Sequence, residues 1–242
     1  MDFYALNGDK LTVTEFIEKY GNSYYIDQQR YVSGVAQSSR AVEDTIDELL
    51  KNGIKKPIDV VRILAWKIGK IQHSASVDGF VYAKDWKNAE KFEAYLYKKQ
   101  FDIRSIAEYV ANNITHLENE AATDPQKVLC DLRDLQIRGL GTVYMITLLY
   151  FISRGKYPIY DRFAMMAVKA ISEGQMPGKA VIKASELPGK NDKAFDTVFD
   201  DHMKPFISKL NEIFNAAYQY SRDVDRALWV YRHAFTAKNY RP

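Results

Sequence analysis

Two glycines and an aspartate are of types, and at a spacing, that could bind an anion and place a carboxylate near it. Gly139 and Gly141 flank one residue, and Asp161 follows the second glycine by twenty positions. A Gly-x-Gly turn lets the backbone approach an anion closely, and the first N–H groups of a following helix can bind a phosphate. A fixed carboxylate in a water-poor site can stabilise positive charge and orient an attacking water. The pattern therefore predicts a phosphate-binding hairpin with a carboxylate placed downstream.

Two predicted helices must position this turn. The first spans 124–136, where Asp124 is a favoured N-cap and Pro125 is favoured at the first helical position. Apolar residues then recur at helical spacing: Val128, Leu129, Leu132 and Leu135. The second helix, 142–153, is apolar on most sides, which predicts that it is buried at the centre of the protein. We expect Gly155 to end it in a left-handed conformation.

The order of helix, Gly-x-Gly hairpin, buried helix, glycine and Pro-x-x-Asp resembles the helix-hairpin-helix DNA glycosylase superfamily. That superfamily includes endonuclease III, 8-oxoguanine DNA glycosylase, and the adenine and alkyl-base glycosylases. The resemblance covers residues 124–171, under a quarter of the chain. It implies that Asp161 is catalytic. It also implies that the hairpin binds the backbone of double-stranded DNA through Arg138, Gly139, Leu140, Gly141 and Thr142.

Two residues depart from the usual motif of that superfamily. Arg138 stands where proline is common, which still allows a hairpin and could add a phosphate contact. Val143 stands at the second position after the last glycine, where bifunctional members have the lysine that attacks the sugar. Because a valine cannot form a Schiff base, the resemblance implies a monofunctional enzyme that uses water as the nucleophile and does not nick the strand by β-elimination.

Asp161 also has a purely structural interpretation. It directly precedes the apolar-periodic segment that begins at Arg162, where an aspartate is an ordinary N-cap. Both roles can hold at once. Three functions therefore stay open: a monofunctional DNA glycosylase, a DNA-binding protein that keeps the fold without the chemistry, and a helical scaffold whose glycines only form a tight turn.

Composition limits the protein class before any motif does. The 242 residues are 47% hydrophobic and 13% aromatic, which is ample for a folded core. Cys130 is the single cysteine, so an internal disulfide framework and a four-cysteine iron–sulfur cluster are excluded. We expect no cofactor, and no metal, because His73, His116 and His202 lack partners at metal-ligand spacing. The N-terminal residues lack a leader pattern and no run of eighteen apolar residues occurs, which predicts a soluble, cytoplasmic protein.

The overall charge does not by itself indicate nucleic-acid binding, so the distribution of charge along the chain matters more. The net charge is +3, but residues 51–104 contain twelve Lys and Arg against six Asp and Glu. Aromatic residues are interleaved with them, among them Trp66, Trp86, Phe92, Tyr95 and Tyr97. This pattern suits a backbone-binding face with rings for stacking. The favoured interpretation is nevertheless a solvated lysine-rich surface over core aromatics.

The rest of the chain predicts an all-α fold. Thr12 and Glu15 form a capping-box pattern before a short helix that Gly21 closes. Further helices are predicted at 39–52, from Pro57, and at 85–99, 102–116, 161–173, 194–218 and 222–237, with a loop at 174–191. The β-like segments at 24–26 and 80–82 are too isolated to predict a sheet. On the last helix, Trp229 and His233 share a face, which packing through Trp229 would explain.

The resemblance also implies an architecture of two helical lobes around a cleft. The first lobe is expected at 57–154, ending in the hairpin, and the second at 1–56 plus 155–242. The resemblance places Asp161 at the mouth of this cleft, where an extruded base would be received.

Overall fold

Helices dominate the computed structural model, as the all-α class requires. It describes residues 3–5, 8–26, 38–74, 79–96, 98–174, 188–214 and 221–234. The α-helices of this part are α1 (Val13–Asn22), α2 (Arg40–Asn52), α3 (Pro57–Lys67), α4 (Ile103–Asn112), α5 (Ile114–Thr123), α6 (Pro125–Asp134), α7 (Thr142–Ile152), α8 (Arg162–Ser172), α9 (Lys204–Ile213) and α10 (Arg222–Ala234). Three antiparallel two-stranded hairpins accompany them: β1 (Phe3–Tyr4) with β2 (Lys10–Leu11), β3 (Ile71–Ser74) with β4 (Gly79–Tyr82), and β5 (Ala94–Leu96) with β6 (Lys99–Phe101). None of the described helices is both long and apolar enough to cross a membrane.

The chain divides into two compact units. The hairpin unit comprises Ser38–Tyr157 and Gly189–Thr197, and the terminal unit comprises Met1–Gln37, Pro158–Pro188 and Val198–Pro242. These boundaries differ from the predicted lobes because α2 and the 189–197 segment belong with the hairpin. The cleft that the resemblance implies stays a prediction.

The assignment of α2 to the hairpin unit has a local physical cause. Glu43 of α2 is fully buried, and its Oε1 accepts a hydrogen bond of 2.7 Å from the Trp66 indole of α3. A buried carboxylate is costly without such a partner, so this bond holds the two helices together. Ser39 caps the start of α2 through the Val42 amide, and Gly53, at φ +77°, ends it.

Helix α7 forms the centre of the hairpin unit, as predicted. Its side chains from Met145 to Ile152 are all essentially inaccessible to solvent, and it packs against α3, α5 and α6. Gly155 adopts φ +79° and its N–H donates to the Tyr150 carbonyl at 2.8 Å. This bond satisfies one of the last carbonyls of the helix in the usual glycine-ended arrangement.

The helix predicted at 85–99 is wrong. That region contains two 3₁₀ turns, Lys84–Trp86 and Ala89–Lys91, followed by the β5–β6 hairpin. Phe92 and Lys98 adopt φ +63°, which a regular helix cannot contain. The view that 80–82 is too isolated for a strand is also wrong, because β4 pairs with β3 over four residues. In both places pairing between neighbouring strands of a hairpin overrides the residue pattern.

Aromatic rings fill the terminal unit, where α10 packs between α1 and α8. Rings of Phe3, Phe16, Tyr20, Phe214 and Tyr231 contact one another with centroids 4.8–6.3 Å apart. The capping box at Thr12 and Glu15 is present and starts α1. The helix predicted at 194–218 is interrupted: a 3₁₀ turn (Lys193–Thr197) and a π-helical turn (Phe199–Met203) precede α9. Most of the loop predicted at 174–191 lies outside the described residues.

Candidate nucleic-acid interface and carboxylate site

The predicted glycine hairpin is present between α6 and α7. Gln136 adopts φ +52° and Gly139 adopts φ +89°, so the chain reverses through two left-handed positions. The buried side chains of Ile137 and Leu140 anchor the turn, and the Leu140 N–H donates to the Ile137 carbonyl at 3.2 Å. Gln136, Arg138 and Gly139 are exposed. The turn therefore presents its polar backbone to solvent while its apolar side chains point into the unit.

Gly141 begins α7 with an extended backbone and no side-chain cap. A Cβ built on Gly141 would meet no atom within 4 Å, so its surroundings are open. Within the described residues, neither the Gly141 nor the Val143 amide donates to a backbone carbonyl. The first N–H groups of a helix attract anions, both as donors and as the positive end of the helix dipole. The amides at this end of α7 can donate hydrogen bonds to a phosphate oxygen.

The five residues predicted to contact DNA differ from one another in their exposure. Arg138 and Gly139 are exposed and Gly141 is partly exposed. The side chains of Leu140 and Thr142 are buried, 1% and 5% exposed. Since the Leu140 amide is also used inside the turn, Leu140 serves to hold the hairpin rather than to offer a donor.

The 189–197 segment, which is distant from the hairpin in the sequence, contacts the hairpin in the structure. Lys190 Nζ donates to the Ile137 carbonyl at 2.9 Å, although 53 positions separate the two residues. The segment is held on α6 by Gln126, whose amide donates to the Phe195 carbonyl at 2.9 Å, and by Arg133, which lies 5.0 Å over the Phe195 ring. The sequence contains no signal for this contact, because Lys190 lies in a loop-like stretch outside the motif.

Asp161 caps α8, which confirms its structural role. Its Oδ1 accepts hydrogen bonds from the Phe163 and Ala164 amides at 2.9 and 3.0 Å, and the residue is only 8% exposed. Such a cap satisfies two of the orphan amides at the helix start.

Trp229 and His233 lie beside the start of α8, which the sequence did not indicate. The His233 ring stacks on Trp229 with centroids 3.7 Å apart and also contacts Phe163 at 4.2 Å. Its Nδ1 lies 2.7 Å from the Trp229 carbonyl, and because a carbonyl can only accept, Nδ1 carries the proton. Burial lowers the pKa of His233, against the opposing effects of that hydrogen bond and of the Asp161 charge. This shift favours the neutral imidazole, in which Nε2 is the unprotonated nitrogen.

Removing the Asp161 cap should destabilise the protein in a residue-specific way. We expect Asp161→Ala to lower the free energy of unfolding by about 1 kcal/mol, because the Phe163 and Ala164 amides lose their acceptor. Asp161→Asn should unfold at nearly the wild-type midpoint, since asparagine caps helices as well as aspartate does. Thermal or urea denaturation of the two variants measures this difference, and equal losses in both would contradict the capping role.

A second polar cluster was missed by the sequence interpretation. His116, Glu120 and Asp131 place ligand-type atoms within 4.8 Å of one another, and His116 Nε2 lies 3.4 Å from Glu120 Oε2. The i, i+4 spacing of His116 and Glu120 was the available signal. Lys127 already pairs with Asp131 and lies 4.0 Å from Glu120, so an ammonium neutralises these carboxylates.

The aromatic residues of the basic stretch at 51–104 are mostly not available for stacking, in agreement with the interpretation of this stretch as a lysine-rich surface over core aromatics. Trp66 and Trp86 are core side chains, 6% and 0% exposed, and cannot stack on bases. The Phe92 ring lies under the Arg104 guanidinium at 4.5 Å, whereas Tyr95 is 47% exposed.

Comparisons with family models, with curated proteins and with solved structures found no match. The helix-hairpin-helix resemblance therefore depends on the residues described above.

Proposed function

We propose that this protein binds duplex DNA through the glycine hairpin and acts as a monofunctional DNA N-glycosylase. The observation that carries the proposal is the start of α7, where a turn with an exposed Gly139 and a partly exposed Gly141 leads into a helix without a side-chain cap. Backbone amides at such a position bind phosphate without sequence preference, as a protein that searches DNA for damaged bases requires.

The surroundings of Asp161 support the chemical part of the proposal. Hydrolysis of the N-glycosidic bond develops positive charge on the deoxyribose, and a carboxylate in a poorly hydrated site stabilises that charge strongly. Asp161 is nearly buried, and its helix cap holds the carboxylate in one orientation. The half-buried Trp229 and Phe163 rings add apolar surface suited to a planar base.

The proposed chemistry predicts that base release leaves the DNA strand intact. Val143 lies in the first turn of α7, where bifunctional members of the superfamily have their lysine. Because no imine forms at a valine, borohydride added during turnover should trap no covalent protein–DNA complex. Strand breaks should appear only after alkali treatment, as gel electrophoresis would show. A borohydride-trapped complex would contradict the monofunctional assignment.

The substrate base is best sought with a panel of duplexes, each bearing one lesion or mismatch. Each duplex is incubated with the protein and then treated with alkali, which breaks the strand at abasic sites. The proposal predicts alkali-dependent breakage with at least one duplex. Binding to duplexes without breakage of any member would instead support the second function below.

A DNA-binding protein without glycosylase activity is the second candidate. The observation that favours it is that the Asp161 carboxylate is already used to cap α8. Such a protein would bind the duplex through the same hairpin and would leave every base in place.

A further inference from the structure

We infer that the 189–197 segment forms, together with the hairpin, a second phosphate-binding pocket for the DNA backbone. This inference rests on the proposed function and extends it to residues outside the motif. The two segments border an open depression of about 600 Å³ within the hairpin unit. Nine residues line it: Arg133, Asp134, Gln136, Arg138, Lys190, Asn191, Asp192, Lys193 and Asp196.

The acidic residues of this depression are engaged locally. Asp196 and Asp134 both pair with Arg133, and Asp192 accepts a hydrogen bond of 2.6 Å from the Gly189 amide. Arg133 therefore balances one of the charges of Asp134 and Asp196, whereas Asp192 keeps its charge because an amide has none. The lining as a whole carries four cations against three carboxylates.

The remaining cations face the depression without such neutralisation. Within the described part of the chain, no ion pair is formed by Arg138 or Lys193, and Lys190 donates to a carbonyl, which has no net charge. Three cationic side chains thus surround a space large enough for a phosphate with its sugar. The amide donors of Gln136 and Asn191 add neutral hydrogen-bonding capacity.

Fixation of the segment makes this arrangement more than a set of mobile surface lysines. Gly189 and Asp192 close a tight turn, since the Asp192 amide also donates to the Gly189 carbonyl at 3.0 Å. The fully buried Phe195 ring then anchors the 3₁₀ turn that contains Lys193. A preorganised cation loses less conformational entropy when it binds a phosphate.

Salt-dependent binding to an undamaged 15-base-pair duplex tests the inference. Lys193→Gln should reduce the slope of log affinity against log salt by about one, and Lys190→Gln with Lys193→Gln by about two. The matched control is Lys87→Gln with Lys91→Gln, two exposed lysines elsewhere in the same unit, and it should keep the wild-type slope. If the 190/193 variant matches this control, the inference is overturned while hairpin binding stands.

A variant that is expected to bind DNA more tightly is a further test, because misfolding would weaken binding and could not produce this result. Asp196→Asn should remove one of the two carboxylates that pair with Arg133 and steepen the salt slope by about one. Asp44→Asn, at an exposed position of α2, makes the same charge change and should alter the slope little. An Asp196→Asn protein that binds no better than Asp44→Asn would contradict the inference.

Inorganic pyrophosphate separates failure of this inference from failure of the proposed function. If wild-type protein binds no duplex, the proposed function is wrong, and titration with pyrophosphate then decides the depression alone. Weaker pyrophosphate binding by Lys190→Gln with Lys193→Gln than by the Lys87/Lys91 control would support an anion pocket. Equal binding by the two variants would overturn it.

Discussion

Asp161→Asn should slow base release from the duplex that the lesion panel identifies by a factor on the order of 10²–10⁴. The amide keeps the shape of the side chain and the acceptor that caps α8, but it loses the negative charge that would stabilise the developing cation. The rate loss corresponds to about 2.7–5.4 kcal/mol of transition-state stabilisation. Single-turnover measurement of abasic-site formation reports the effect without contributions from product release.

The matched controls for this prediction are duplex affinity and stability. Asp161→Asn should bind the lesion duplex with nearly wild-type affinity and unfold at nearly the wild-type temperature, because neither the hairpin nor the cap is removed. Base release at the wild-type rate would refute the catalytic assignment and leave Asp161 as a helix cap only.

Gly141→Asp should lower duplex affinity at least about a hundredfold, or about 2.7 kcal/mol, while preserving or slightly raising stability. An aspartate at the first position before α7 would cap the amides that are proposed to bind phosphate, and its charge would repel the DNA. The open space around Gly141 and its extended backbone accommodate the side chain without strain. Fluorescence anisotropy with an undamaged duplex and a denaturation curve measure the two opposite effects.

Asn119→Asp is the control for the change in net charge. Asn119 is exposed in the middle of α5, and its substitution adds the same negative charge away from the hairpin. We expect less than a threefold loss of affinity, since a distant surface charge is largely screened by salt. If Gly141→Asp binds like Asn119→Asp, the hairpin is only a tight turn, as the scaffold interpretation holds.

The sequence predicted those features of the fold that local interactions determine. The starts of α1, α6 and α8 agree with Thr12, Asp124 and Asp161, because a capping side chain bonds to amides two or three residues away. The helix predicted at 85–99 was wrong because this part of the chain is organised around the buried Trp86 and a positive φ at Phe92. The Trp86 indole donates a hydrogen bond to the Tyr95 carbonyl at 2.9 Å. A phenylalanine in a left-handed conformation has no sequence signature.

The candidate site shows the same division. The two glycines and the uncapped start of α7 are local features and could be read from 135–142. Lys190 reaches Ile137, and His233 lies near Asp161, only through the tertiary fold. Single-sequence periodicity does not encode which segments meet, so neither partner could be predicted.

The most direct test of phosphate binding by the hairpin is amide NMR of the uniformly ¹⁵N- and ²H-labelled protein titrated with an undamaged duplex. The account predicts that the largest shift changes occur at the amides of Arg138, Gly139, Gly141 and Val143, and that these changes diminish as salt is raised. Saturating duplex that leaves these four amides unmoved, while shifting others, would contradict the account.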